Sequence, residues 1–364
     1  MAPNSPTSYA NAHARVRILY SQLLSSQTMA HLREATDLVM LVNVLKETVY
    51  GSYLAGMEDK DLDPKQIVSQ LRGRVVNAYL NTIHAAPLQT RPLLELLFRH
   101  FELDNLKAIL RGIVTGSSWE EVQNVLFPLG ESTVLPGETM LEAGNVGAAS
   151  EQLSQTPYYP ILSHALQRFT SEQSLFPLEV ALDLDYWRKL WEAINKLPVE
   201  DRASALQIIG PLVDMTNLMW AVRYRVYHHL SEEEIINYTL PFGLHLRDEN
   251  VRAIAAGSDA GDIVQELYPG LENVSNLLQQ PEKGLSILEI RLQRTVAERC
   301  KAAFTSYPFQ ISLELAILLL IELEIQDLTV LVEAKTSNTA PEEYEAYLIN
   351  AAEETVQARA MSQG

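Results

Sequence analysis

The chain has 364 residues, 47% apolar and 20% charged, with 28 basic against 46 acidic side chains for a net charge of −18. That apolar fraction lies beyond a disordered chain and supplies several buried cores, and the acidic balance argues against bulk electrostatic binding to nucleic acid or an anionic membrane. The single cysteine, Cys300, cannot form an internal disulfide, which suits a reducing compartment.

The first residues, Met1 to Pro6, carry neither a basic segment nor an apolar one, so no secretory signal is expected and a cytoplasmic location follows. From there on helix formers dominate, apolar residues recur with helical spacing, and strand-like alternation is scarce, which predicts an all-α fold. Asp59-Lys-Asp61-Leu-Asp63 imitates the start of a calcium loop. It lacks the glycine and the bidentate glutamate such a loop needs, having Pro64 and Gln70 there, and reads as an acidic turn before a helix. Ser118 with Glu121, and Ser231 with Glu234, have the spacing of capping boxes that open helices. Asp183 and Asp185, at i and i+2, point to different helix faces and read as a solvated surface. Trp119, Trp187, Trp191 and Trp220 read as core anchors. His228, His229 and His245 lack a companion ligand at matching spacing. Arg291, Arg294, Arg299 and Lys301 form a basic patch, readable as a solvated helix face or as a contact for an acidic partner. Cys300 sits between two of these cations, which predicts a lowered thiol pKa. The stretch Leu313 to Val332 is greasy but interrupted by Glu314, Glu322, Glu324, Gln326 and Asp327, so it predicts a buried core helix and not a membrane span.

An internal repeat organises these segments. Phe101-Glu-Leu-Asp-Asn-Leu-Lys-Ala-Ile-Leu-Arg111 returns as Val213-Asp-Met-Thr-Asn-Leu-Met-Trp-Ala-Val-Arg223 and as Leu323-Glu-Ile-Gln-Asp-Leu-Thr-Val-Leu-Val-Glu333. The offsets are 217 − 105 = 112 and 327 − 217 = 110. Phe127-Pro-Leu-Gly130 returns as Leu240-Pro-Phe-Gly243. Leu45-Lys-Glu-Thr-Val-Tyr50 returns as Leu153-Ser-Gln-Thr-Pro-Tyr158, with a fainter copy at Leu267-Tyr268. Three units follow, at 8–125, 126–238 and 239–352. The positions Asn105, Arg111, Asn217, Arg223 and Asp327 mark the repeat. The amide or acid at 105, 217 and 327 either bonds backbone within its own unit or lines an axis common to all three. At the third corner Glu333 stands where Arg111 and Arg223 stand, so threefold equivalence breaks there.

No phosphate loop, dinucleotide fingerprint, metalloprotease helix, paired-cysteine metal motif or serine elbow occurs in the sequence. No catalytic, metal or cofactor site is therefore expected. The opening Tyr9-Ala-Asn-Ala-His-Ala-Arg15-Val-Arg17, the Leu-x-x-Thr-x-Tyr at 45–50 and the Glu-x-Asp-Asn-Leu at 102–106, in this order within three tandem units, resemble the C subunit of V/A-type rotary ATPases, the counterpart of the eukaryotic d subunit. That resemblance implies a funnel-like, pseudo-threefold helical protein without catalysis of its own. It implies one copy per complex, peripheral to the membrane on its cytoplasmic side, seated on the proteolipid ring and receiving the central-shaft subunits D and F. Two other readings rest on the repeat or on the acidic residues alone: a helical scaffold with a concave peptide-binding surface, and a helical enzyme with an acidic metal site.

Overall fold

The structure is a computed structural model that describes residues 6–271 and 273–350; the leader reading at residues 1–5 and the last two positions of the third sequence unit lie outside the described residues. Its eight longest helices, in chain order, are α1 (Pro6–Ser21), α2 (Pro64–Ala85), α3 (Arg91–Thr115), α4 (Tyr159–Glu172), α5 (Phe176–Asn195), α6 (Val199–Val226), α7 (Pro281–Ala303) and α8 (Ser312–Ser337). Short helices and turns connect them, and no strand occurs among the described residues.

Local chemistry sets many helix ends. Asp63 caps α2, accepting from the Lys65 amide, and Pro64 follows at the first helical position, where its missing N–H costs nothing. The acidic turn at 59–63 therefore ends as a helix start. Ser118–Glu121 and Ser231–Glu234 both form complete capping boxes. Gly116 ends α3 at φ 69°, a left-handed position that glycine adopts without penalty. By contrast α8 has no side-chain cap at its start. It is held by burial, with Ser312 through Ile321 all enclosed. Three of the acids that interrupt its greasy run, Glu314, Glu324 and Asp327, are enclosed too.

The chain divides into two compact bodies, one of residues 88–197 and one of the residues up to Pro87 together with those from Pro198 onward. In the first, α5 packs against both α3 and α4, while short helices Gly137–Glu142 and Val146–Glu151 cover α3. In the second, α8 is the central helix: α1, α2, α6 and α7 all pack on it. Within that body α6 also packs along α7, and α1 along α2. Among the described residues one helix, α6, is long and apolar enough to cross a membrane, and 72% of its apolar window is buried inside the fold.

Candidate functional site

The repeated helices α3, α6 and α8 each carry two polar side chains into apolar surroundings, and the use made of them defines the candidate site. The first is the amide or acid position. Asn105 accepts from the Phe127 amide at 2.8 Å and donates to the Phe127 carbonyl at 2.9 Å. Asn217 does the same with Leu240, at 2.7 and 2.8 Å. One amide side chain thus satisfies both backbone groups of one residue in the returning loop, groups that burial would otherwise penalise. Asp327 has no donor, and its partner pattern changes accordingly. Its carboxylate accepts from the Ile349 amide at 2.6 Å, the Asn350 amide at 2.9 Å and the Asn350 side chain at 2.9 Å. These three positions pin the loops that follow their own helices, 22 or 23 residues on; by the bounds read from the sequence only Asp327 bonds within its own stretch, while Phe127 and Leu240 fall just past the boundaries at 125 and 238.

The second position is the acid three residues earlier. Glu102 accepts from the Val134 amide at 2.6 Å, the Thr133 hydroxyl at 2.9 Å and the Tyr158 hydroxyl at 2.6 Å. Asp214 accepts from the Leu244 and His245 amides, both at 2.7 Å, and its charge raises the pKa of Tyr268, on top of burial. Glu324 accepts from the Leu24 amide at 2.6 Å, the Tyr50 hydroxyl at 2.6 Å and the Arg74 guanidinium at 2.5 Å. The partners keep the period of the repeat: 134 − 24 = 110 and 244 − 134 = 110 for the amides, 158 − 50 = 108 and 268 − 158 = 110 for the tyrosines. Counted in the bounds read from the sequence, 8–125, 126–238 and 239–352, the acids at 102 and 214 take their partners from the following stretch, and the acid at 324 takes its partners from the first. The helix contacts keep the same order, α3 on α5, α6 on α7 and α8 on α2.

Close backbone approach makes the second of these braces possible. A Cβ on Gly243 would collide with Asp214 Oδ1 and the Leu246 carbonyl, and one on Gly210 would lie 2.9 Å from the Leu244 Cβ. Gly210 precedes Pro211 inside α6, where the helix already lacks one backbone donor. The Glu324 brace uses side chains instead. Arg74 is 3% exposed, donates to the Gln22 carbonyl at 3.0 Å as well, and lies 4.7 Å from the Tyr50 ring centre. Burial and the Glu324 charge push the Tyr50 hydroxyl well above its ordinary pKa, so it stays a donor.

Arg111 and Arg223 make matching ion pairs near the ends of their helices. Arg111 binds Glu179 at 2.6 Å, and Arg223 binds Glu289 at 2.5 Å, 68 and 66 residues further on. Glu333, exposed on α8, is an acid at the position of those arginines. In the basic patch, Arg294 donates to the Leu348 carbonyl at 2.6 Å and Lys301 to Asn350 at 3.1 Å, so these two bind the loop that Asp327 also holds. Arg299 bears on Tyr268, whose hydroxyl its charge makes more acidic, and Arg291 is half-buried on the same helix.

Several expectations need correction. Cys300 is fully buried, and burial pushes its thiol up to about 12, opposite to the lowering its cationic neighbours predict. Asp183 is not on a solvated face: it is half-buried and pairs with Lys107 at 2.8 Å. The four tryptophans are half-buried, not enclosed, as suits side chains too large to disappear into cores of this size. Among the described residues no group of three or more His, Cys, Asp or Glu side chains is placed to hold a metal ion. Arg74 has no distinguishing pattern in the sequence, since Arg72 stands two residues before it on the same helix. The tyrosines served there only as landmarks, although acid and tyrosine share one period.

A family model described as "ATP synthase (C/AC39) subunit" matches residues 12–347. The chain is similar to the C subunit of the A-type ATP synthase of Methanocaldococcus jannaschii, 27% identical over 94% of this chain and 86% of the relative. It is similar to the proteins of the same name from Methanothermobacter thermautotrophicus, 24% identical over 93% and 86%, and Pyrococcus furiosus, 24% identical over 92% and 89%.

Proposed function

Because the chain belongs to the ATP synthase (C/AC39) subunit family, we propose that it is the non-catalytic socket of a V/A-type rotary ATPase, seated between the central shaft and the proteolipid ring. Its partners in this reading are that ring and the shaft subunits D and F, one copy serves each complex, and it sits peripherally on the cytoplasmic side. No catalytic group, metal or cofactor is assigned to it. The three units, 8–125, 126–238 and 239–352, form a funnel-like pseudo-threefold body.

The observation that carries this reading is the order of the acid braces. Three equivalent acids each hold the following unit, and the third, Glu324, holds the first unit through Leu24, Tyr50 and Arg74. A closed succession of units resists twisting better than an open one, because no terminal unit is left with an unpaired interface. Transmission of torque needs that stiffness, and close-packed interiors supply it. Exposed apolar side chains on each body support an apolar contact with the ring. Leu88, Val199 and Tyr307 each adjoin a proline and are 77%, 72% and 54% exposed.

The test is a pull-down at low salt with purified proteolipid ring and, separately, with the shaft subunits. Both are expected to be retained. Leu88→Asp and Val199→Asp, each made separately, are expected to lower retention of the ring at least tenfold while leaving shaft binding within twofold. A chain that retains neither partner overturns the proposal.

A further inference from the structure

One buried acid takes no part in the braces. Glu314, in the first turn of α8, is 1% exposed, and neither of its carboxyl oxygens has a hydrogen-bond partner. Asp201, in the first turn of α6, is equally buried, and its negative charge acts on Glu314. Tyr9 of α1, also 1% exposed, donates its hydroxyl to Asp201 Oδ1 at 2.7 Å. The start of α1 is thus fastened to an acid that has a second acid beside it.

The charge on Glu314 has little to sustain it. An ionised carboxylate enclosed without donors is so costly that such groups take up a proton instead. The Asp201 charge opposes a second charge on Glu314 and so adds to the effect of burial. Asp201 accepts the Tyr9 hydroxyl, whereas Glu314 has no donor to sustain a charge, so the proton is placed on Glu314. The positive end of α8 favours a charged Glu314, but that is a small effect beside burial without a donor. Arg17 of α1 binds the Phe304 carbonyl at 3.2 Å, Arg74 of α2 binds Glu324 at 2.5 Å, and Lys301 of α7 binds Asn350 at 3.1 Å. His13, one turn beyond Tyr9, lies 5.5 Å from the Phe309 ring. Arg202 of α6 is half-buried next to Asp201, and His84 near the end of α2 is exposed.

We propose that Glu314 and Asp201 form a one-proton site that locks α1 onto the first turns of α6 and α8, and that loss of this proton loosens α1. Burial, with the Asp201 charge, raises the Glu314 carboxyl to about 8, so the proton leaves just above neutral pH. An unfolded glutamate titrates near 4.3. The folded state therefore holds the extra proton between these values. The stabilisation is complete below the unfolded pKa and is lost as pH rises through about 8.

Thermal melting of the full chain between pH 6 and 9, with backbone hydrogen exchange across α1 corrected for intrinsic rates, tests this. The native chain is expected to lose roughly 2–3 °C of Tm between pH 7 and 9, with protection of α1 falling about tenfold. Glu314→Gln, which keeps the shape of the protonated acid, is expected to remove both changes. In Asp201→Asn the fall is expected to move to lower pH, which serves if Glu314→Gln does not fold, and an unmoved fall overturns the proposal. The same fall in Glu314→Gln as in the native chain, or no fall in the native chain, also overturns it. So does a native Tm at pH 9 that sodium or magnesium ions restore, since the site then takes a metal cation.

Discussion

The brace at Glu324 and the brace at Asp214 occupy the same place in the repeat, yet they are built from different chemistry. Asp214 accepts two successive backbone amides from a segment 30 and 31 residues further along the chain. Glu324 accepts one amide from a segment 300 residues away, and adds a tyrosine hydroxyl and an enclosed guanidinium. Loop-closure entropy grows with the logarithm of the intervening length, so a tenfold longer span costs about 2 kcal/mol more to close. Both acids accept hydrogen bonds through a carboxylate, but only Glu324 also has an enclosed cation as its partner. The strongest set of partners is thus found where chain connectivity helps least. The three acid positions share a register, and the residues that meet them differ with how far the chain must be brought back.

The largest expected effect separates these two braces. Arg74→Met leaves the Glu324 carboxylate enclosed without its cation and is expected to cost about 3–5 kcal/mol. Asp214→Asn keeps one acceptor and is expected to cost about 1–3 kcal/mol. Urea unfolding of each variant gives both values, and a larger loss from Asp214→Asn breaks the comparison. Arg74→Met combined with Glu324→Leu is expected to recover part of the loss, because no buried charge is then left alone.

A middle-sized effect sharpens the same contrast. Gly243→Ala drives a methyl into Asp214 and the Leu246 carbonyl, and is expected to cost about 1–3 kcal/mol as overpacking. Gly130 holds the matching place one unit earlier, at φ 55° with open space around it. Gly130→Ala is expected to cost only the backbone strain, about 1–2 kcal/mol. Differential scanning calorimetry of the two variants ranks them, and the ranking tests whether the second brace depends on close backbone approach.

Much of this was legible before the structure, and the part that was not has a physical reason. Helical periodicity, the two capping boxes and the enclosed character of the 313–332 helix follow from local pattern, and local pattern survives folding. The period of the repeat placed Asn105, Asn217 and Asp327 on equivalent helices. Their bonding partners lie only 22 or 23 residues on, so a reading of loops returning to their own helix was within reach. The acid braces were not. Glu324 is separated from Tyr50 and from Arg74 by 250 or more residues, and nothing local joins a glutamate to a tyrosine that far back. Cys300 misled for the opposite reason: its sequence neighbours are cations, but on a helix they point away while the thiol points inward. Glu314 looked like one of several acids spoiling a membrane span, and only enclosure makes it distinct from Glu322 or Glu333.

The smallest expected effect concerns the ion pairs that two corners have and the third lacks. Arg111–Glu179 has side chains 58% and 22% exposed, and Arg223–Glu289 has them 39% and 32% exposed. Exposed pairs of this kind contribute about 0.2–1 kcal/mol, since water already solvates both partners. Arg111→Ala and Arg223→Ala are therefore expected to lower Tm by no more than about 2–3 °C each. Raising the salt concentration should shrink even that difference, because salt screens exposed charges beyond about 10 Å at 0.1 M and closer at higher concentration. The enclosed Arg74–Glu324 pair should show no such salt dependence. If Arg223→Ala proved as damaging as Arg74→Met, the corner ion pairs would be holding the units together, and the replacement of arginine by Glu333 would leave the third corner the weakest. The comparison predicts the reverse: the corner without the exposed pair is the one closed by the buried charge.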